Sequence, residues 1–201
     1  MGVRMCRALA VATIALSPIG AIHGSEQLTT SQAELVVWAT ARFRAAGLDV
    51  PPVTVAFTPD HRYCAGFVGL YRPATQTLNI CADEGASDLV LRELLLHEMA
   101  HAWTDLHLTT EARTSFARLR GTPSWDSARD AWVERASEHA AEVISWGLMD
   151  IETVVMPVGD TSPNALERAF RLLTGVDPVN DGSVPSQQPT HPPAVPTVRL
   201  S

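Results

Sequence analysis

One segment near the middle of the chain, LLLHEMAHAW at residues 94–103, limits the possible folds more than any other. Apart from His97, Glu98 and His101, its residues are uncharged and mostly apolar, so a helix formed by this segment is expected to be largely buried. A buried imidazole or carboxylate costs free energy unless it has a partner. The segment therefore predicts a core helix with a polar site built into it, rather than a surface helix that carries two exposed histidines.

The spacing of these three polar residues is typical of a zinc site. His97 and His101 are four residues apart, so their imidazoles lie on one face of a helix and can bind one ion at about 2.0–2.1 Å. Glu98 projects about 100° away from His97, which allows its carboxylate to reach a water on the ion without being a ligand. We therefore predict one Zn²⁺, bound by His97 and His101, with Glu98 within reach of the water on the ion.

A catalytic zinc ion needs a third protein ligand, and the sequence offers two main candidates. Glu138 lies in a segment rich in alanine, valine and isoleucine, WVERASEHAAEVISWGL, which favours an inward-pointing carboxylate. Glu142 follows on the same helical face and could accept the ring N–H of a ligand histidine. His107 is the alternative, at the distance from His97 used in HExxHxxGxxH sites. The glycine position of that pattern is occupied by Thr104, which disfavours the required turn, so we favour Glu138.

Residues 1–24 have the layout of a secretory signal peptide. Arg4 and Arg7 precede a weakly apolar run from Ala8 to Leu16, and helix-breaking residues follow. This run is shorter than the roughly 20 apolar residues of a transmembrane anchor, although an uncleaved anchor stays the alternative. We therefore expect a secreted or extracytoplasmic protein that has no stable membrane span after cleavage.

Two of the three cysteines, Cys64 and Cys81, would stay in the exported chain after cleavage. An even number of cysteines in such a chain suggests one disulfide. A predicted turn at 73–76 joins two strands and would bring both cysteines to the same end of a hairpin. We therefore predict a Cys64–Cys81 disulfide.

The rest of the pattern predicts one α+β domain over 25–177. A Ser31/Glu34 capping box begins a first helix that ends at Gly47. Three strands follow, and we expect them to form a small antiparallel sheet. Packed helices then carry the zinc site. The predicted strands are 51–57, 66–71 and 77–81, and the later helices are 88–106, 110–120, 128–146 and 163–174. The segment 178–201 is rich in proline and is expected to be a flexible tail.

Composition excludes some classes of protein. With 201 residues, of which 46% are hydrophobic, the chain can bury one sizeable core. Its 22 acidic residues outnumber its 15 basic residues, and the basic residues form no stripe. This balance argues against a nucleic-acid partner.

Together these motifs resemble those of the gluzincins, zinc metallopeptidases with HExxH on one helix and a glutamate ligand on the next. The chain is most similar to their small single-domain members, the minigluzincins. The resemblance rests on His97-Glu98-xx-His101, Glu138-xxx-Glu142 and the preceding hairpin, and it covers roughly residues 30–176. It implies a zincin-like fold and three zinc ligands, namely His97, His101 and Glu138. It also implies that Glu98 is the general base, that Glu142 orients a ligand histidine and that a peptide or protein substrate binds along the hairpin.

The resemblance implies a secreted zinc metallopeptidase, but other functions stay open. One alternative is a zincin-fold module that binds zinc or a peptide without turnover, although such a module would not need Glu98. Another is a structural domain whose ion is closed by a fourth ligand, His139 or His107. A peptidase of this kind also needs a group that stabilises the developing oxyanion, and His139, Tyr71 and Arg135 are candidates.

Overall fold

A computed structural model describes residues 28–150 and 158–180. The predicted signal peptide at 1–24 and positions 181–201 of the predicted tail lie outside the described residues. The α+β class is confirmed, with five α-helices and one three-stranded sheet in the described part. In chain order the elements are α1 (Thr30–Ala45), β1 (Thr54–Thr58), β2 (Gly69–Arg72), β3 (Thr77–Cys81), α2 (Asp88–His107), α3 (Thr110–Arg120), α4 (Ala136–Leu148) and α5 (Pro163–Thr174), with short 3-10 helices at His61–Cys64 and Trp132–Glu134.

The sheet is mixed, so the expectation of a purely antiparallel sheet was wrong. β2 and β3 form the predicted antiparallel hairpin, with Gly69 opposite Ile80. β1, however, runs parallel to β3, and the strand order is β1-β3-β2. The 3-10 helix at 61–64 leads the chain to the far edge of the sheet, and the hairpin then returns β3 to the centre. Four of the five β3 residues are buried, as expected for a central strand, and β2 is left at an edge.

The predicted disulfide is present in the structure. Cys64, at the end of the first 3-10 helix, is joined to Cys81, the last residue of β3, across a sequence separation of 17 residues. Closing a loop of this length stabilises a folded chain by about 3 kcal/mol, because it restricts the unfolded chain. The bond fixes the chain that precedes β2 to the central strand.

The first helix begins two residues earlier than predicted. The capping box is formed by Thr29 and Gln32 rather than by Ser31 and Glu34. The Thr29 hydroxyl accepts the Gln32 N–H at 3.3 Å, and the Gln32 side chain accepts the Thr29 N–H at 3.0 Å. The same motif occurs twice in this stretch, and local sequence alone could not decide between the two copies.

The fourth helix begins later than predicted, at Ala136 rather than near 128. The Ser124 hydroxyl is hydrogen-bonded to the Asp130 carboxylate, so polar residues that could have capped a helix hold a loop instead. As a result, Glu138 lies in the first turn of α4. A helix N-terminus favours a negatively charged side chain.

α2 is the central helix of the fold. It packs against α4 on one side and against the sheet on the other, and it also contacts α1. Both helices bury apolar residues, including Leu95, Leu96, Met99, Ala140, Ala141 and Ile144. Polar residues that point into this interface are therefore held between two well-packed helices.

Candidate metal centre

Three side chains converge between α2 and α4. His97 and His101 come from successive turns of α2, and Glu138 comes from the first turn of α4. The two Nε2 atoms are 3.1 Å apart, and Glu138 Oε2 lies 3.3 Å from His97 Nε2 and 3.2 Å from His101 Nε2. These residues, which we call the metal triad, form a group that could hold a metal ion.

The charge distribution of the triad favours a cation. Burial alone would lower the pKa of His97, but the neighbouring carboxylates of Glu138 and Glu142 outweigh burial and hold this pKa well above its usual value. Burial would likewise raise the pKa of Glu138, but hydrogen bonds from His101 and His97 outweigh it and lower that pKa. Both shifts have one cause, which is that ionised carboxylates lie next to imidazoles that can carry positive charge.

Glu142 lies on the other side of the His97 ring. Its Oε1 is 3.1 Å from His97 Nδ1, so it can accept the N–H of that nitrogen. In this tautomer the lone pair of Nε2 points toward the triad. Glu142 is thus the carboxylate next to the His97 ring on the side away from the triad.

Glu98 lies beside the triad but is not part of it. Its residue surface is 6% exposed, and burial raises the pKa of its carboxyl group. The side chain points toward the edge strand β2, where its carboxylate meets the backbone of Gly69 and Tyr71. This position next to the histidines, outside the group that could hold a metal, is compatible with the role predicted for Glu98.

His107, the alternative third ligand, is not brought to the triad. α2 continues as a regular helix through Thr104 up to His107, so the turn that a HExxHxxGxxH site requires is not formed. The exposed ring of His107 stacks on Trp103, with ring centroids 5.0 Å apart. Within the described residues, Glu138 is the side chain that joins the two histidines in a metal-binding group.

The three candidates for the group that stabilises the oxyanion lie in different surroundings. His139 is buried, and its Nε2 lies 2.8 Å from the carbonyl oxygen of Val133. Arg135 donates to the carbonyl of Asp130 at 3.1 and 3.2 Å. Both side chains are thus engaged in holding the loop before α4. Tyr71 lies instead on the edge strand that Glu98 meets, and its hydroxyl is 3.4 Å from Asp105.

Sequence reasoning missed two neighbours of the site. Trp132 stacks on His97, with ring centroids 6.5 Å apart and an interplanar angle of 20°. Gly69 lies against Glu98. A glycine inside a strand signals a close approach of the backbone to another group, so that signal was present for Gly69. Trp132 carried no comparable signal.

Comparison with known protein families, with curated proteins and with solved structures finds no match for this chain. Among residues 28–150 and 158–180, none of the helices combines the length and apolar character needed to cross a membrane.

Proposed function

We propose that the protein is a secreted zinc metallopeptidase of the gluzincin type. In this proposal His97, His101 and Glu138 bind the ion, Glu142 orients His97, and Glu98 is the general base. The observation that carries the proposal is the convergence of the three ligand atoms of the triad, separated by 3.1–3.3 Å, from two helices that are distant in sequence.

The geometry and chemistry of the triad support zinc as the ion. Ligand atoms about 2.0–2.1 Å from a tetrahedral zinc ion lie about 3.3–3.4 Å from one another. The observed separations of 3.1–3.3 Å are close to this range. Two imidazoles and one carboxylate are also a donor set found in catalytic zinc sites, which keep a fourth position open.

The proposed reaction assigns a proton transfer to Glu98. Zinc bound by the triad would lower the pKa of a coordinated water toward about 7 and would polarise the substrate carbonyl. The Glu98 carboxylate takes one proton from the attacking water and later gives it to the leaving amine. The water oxygen forms a bond with the carbonyl carbon and the C–N bond breaks, so that one water is consumed for each peptide bond.

The edge strand supports a peptide as the substrate. β2 lies at an edge of the sheet, and Glu98 meets the backbone of this strand at Gly69. An extended peptide that pairs with a sheet edge is held by main-chain hydrogen bonds. A peptide bound along β2 would therefore pass the proposed general base.

The two alternatives receive less support. A module that only binds would keep Glu98 buried, at a cost in free energy, without using its basicity. A closed structural zinc site needs a fourth protein ligand. The ring nitrogens of His139 are directed elsewhere, toward Val133 and Gly159, and His107 stacks on Trp103.

The Cys64–Cys81 disulfide supports an oxidising, extracytoplasmic compartment.

The substitution Glu98→Gln tests the proposal. We expect this variant to keep one zinc ion per chain and to hydrolyse casein or a fluorogenic peptide library about 10²–10⁴-fold more slowly than the wild type, because a general base is lost. The exposed glutamate of α3 provides a matched control, and Glu111→Gln should keep full activity. Undiminished hydrolysis by Glu98→Gln would remove this residue from the mechanism.

A further inference from the structure

We propose that Gly69 is a positioning residue, whose missing side chain lets the Glu98 carboxylate lie against the edge strand. This inference rests on the proposed role of Glu98 and assigns part of that role to β2. A substituent on Gly69 would displace the general base while leaving the metal triad in place.

The contact between Gly69 and Glu98 leaves no room for a Cβ atom. A Cβ built on Gly69 would lie 2.3 Å from Glu98 Oε1, 2.8 Å from Cγ and 2.9 Å from Cδ. All three separations are far below ordinary van der Waals contact. Because several atoms of the Glu98 side chain overlap with this position, small adjustments of the carboxylate alone would not relieve the clash.

Gly69 is not required by the local backbone. It is the first residue of β2 and is not one of the described glycines with a positive φ. A glycine in a strand normally weakens it, because it costs backbone entropy and offers no side chain for packing. The space that Glu98 occupies is therefore the physical reason for a glycine at this position.

The framework on both sides of the contact is fixed. β2 is paired with the central strand β3, and the disulfide holds the chain just before it. Glu98 lies in the middle of α2, between buried residues on the same helix. Relief of a clash between these elements must therefore come from a change in the Glu98 rotamer, which moves the carboxylate away from its position.

The hydrogen-bond pattern of the hairpin gives Glu98 a second contact on the same strand. The carbonyl of Val68 accepts the N–H of Cys81 at 2.8 Å. Hydrogen-bonded and non-hydrogen-bonded residue pairs alternate along an antiparallel ladder. Val68 and Cys81 are a hydrogen-bonded pair, so Tyr71, opposite Leu78, belongs to a non-hydrogen-bonded pair, and its N–H faces away from β3. That N–H is hydrogen-bonded to the Glu98 carboxylate. The carboxylate therefore meets β2 at both Gly69 and Tyr71.

Another glycine provides a matched control. A Cβ built on Gly147, in α4, would lie 2.2 Å from the ring of Phe170. This overlap is as severe as that at Gly69, but it concerns only the packing of α4 against α5. Gly147→Ala should therefore perturb the fold in a way that does not depend on residue 98.

The first experiment is a double-mutant cycle of thermal unfolding, measured on Gly69→Ala, Glu98→Ala and the double variant. We expect Gly69→Ala to lower Tm by about 5 °C in the wild-type background. In the Glu98→Ala background it should leave Tm unchanged or raise it, because the obstructing side chain is gone. Gly147→Ala should lower Tm equally in both backgrounds. An equal loss for Gly69→Ala in the two backgrounds would overturn the proposal.

If Gly69→Ala alone does not fold, the double variant decides the question. Folding of Gly69→Ala/Glu98→Ala would support the proposal, whereas failure of both variants to fold would contradict it. This readout needs neither metal nor substrate. A wild-type protein that hydrolyses nothing would refute the proposed function, and the cycle would still test the contact.

The second experiment separates positioning from metal binding. We expect Gly69→Ala to keep one zinc ion per chain, with KM close to the wild-type value and kcat about 10–100-fold lower, since a misplacement of about 1 Å is enough for such a loss. A general packing defect would instead reduce zinc content and kcat together. An unchanged kcat would show that Gly69 does not position Glu98 and would overturn the inference.

Discussion

Two polar clusters connect α2 to its neighbours, and their charges are satisfied in different ways. Near the start of α2, the guanidinium of Arg92 lies 4.8 Å from the ring centroid of Trp38 and 3.6 Å from the carboxylate of Asp150. The indole N–H of Trp38 donates to that same carboxylate at 2.9 Å. We call these three residues the Arg92 cluster. The metal triad, further along the helix, brings together two imidazoles and a carboxylate.

The clusters differ in whether they contain a positive charge of their own. In the Arg92 cluster a permanently charged guanidinium faces the carboxylate of Asp150 and, at 2.7 Å, that of Asp88, so the negative charge there has a counterion within the chain. In the triad, lone pairs from three side chains converge, and the groups that raise the pKa of His97 are carboxylates, those of Glu138 in the triad and Glu142 beside it. An excess of acceptors in a partly buried site must be met by protons or by a cation.

The largest effect is expected for Glu138→Ala. Removal of a ligand should weaken zinc binding by more than about 100-fold, beyond the 10–100-fold typical of residues that only support a ligand. The measurement is a competition titration with a chromogenic chelator. His107→Ala is the control and should bind zinc like the wild type. The opposite result would favour His107 as the third ligand, and Glu138 would then not belong to the metal site.

A smaller effect is expected for Glu142→Ala. Loss of the carboxylate 3.1 Å from His97 Nδ1 leaves the ring without its orienting partner, which should weaken zinc binding about 10–100-fold. The same titration measures this loss. Glu142→Gln should retain part of the affinity, because the amide oxygen still accepts the ring N–H. Equal affinity for the wild type and Glu142→Ala would mean that His97 is oriented by the triad alone.

In contrast, Arg92→Ala should affect the fold and not the metal. Loss of the cation–π contact and the ion pair should lower the free energy of unfolding by about 1 kcal/mol. Zinc affinity should not change. Urea unfolding and the zinc titration, performed on the same preparation, measure both quantities. A variant with weakened zinc binding and unchanged stability would show that the two clusters are not separate.

The proximity of His97 and His101 could be predicted from the sequence, because it depends only on local helix geometry. The spacing of His97 and His101 places both rings on one helical face whatever the rest of the fold does. The apolar residues around Glu138 also indicated an inward-facing carboxylate. The beginning of α4 was missed, because the hydrogen bond of Ser124 to Asp130 belongs to a loop whose geometry local propensity does not determine.

Features that depend on contacts between distant segments were not predictable in this way. The central position of β3 follows from how the hairpin folds back onto β1, and strand patterns alone do not determine strand order. Gly69 meets Glu98 across 29 positions of the sequence, and Trp132 meets His97 across 35. No rule of sequence spacing predicts contacts between residues this far apart, so they become visible only in the assembled fold.

The smallest effect is expected at Glu93, one turn before His97 on α2. Burial, with a contribution from the charge of Glu142, raises the pKa of this carboxyl to about 7. Below the ordinary glutamate pKa the group is protonated in both the folded and the unfolded state and does not affect stability. As pH rises toward 7, the unfolded chain loses the proton more readily than the folded chain, so folding becomes less favourable. Above this range both states have lost the proton, so the decrease in the free energy of unfolding stays constant.

Glu93→Gln should therefore stabilise the metal-free protein at pH 8 and have little effect at pH 4. For a half-buried group we expect a gain of about 0.5–1 kcal/mol after allowance for solvent screening. Urea unfolding in the presence of a chelator, at both pH values, measures the difference. Because Glu142 contributes to the shift, the gain should shrink in a Glu142→Gln background. A gain of equal size at both pH values would show that ionisation of Glu93 is not the cause, and the excess of negative charge around the triad would then not extend to this turn of α2.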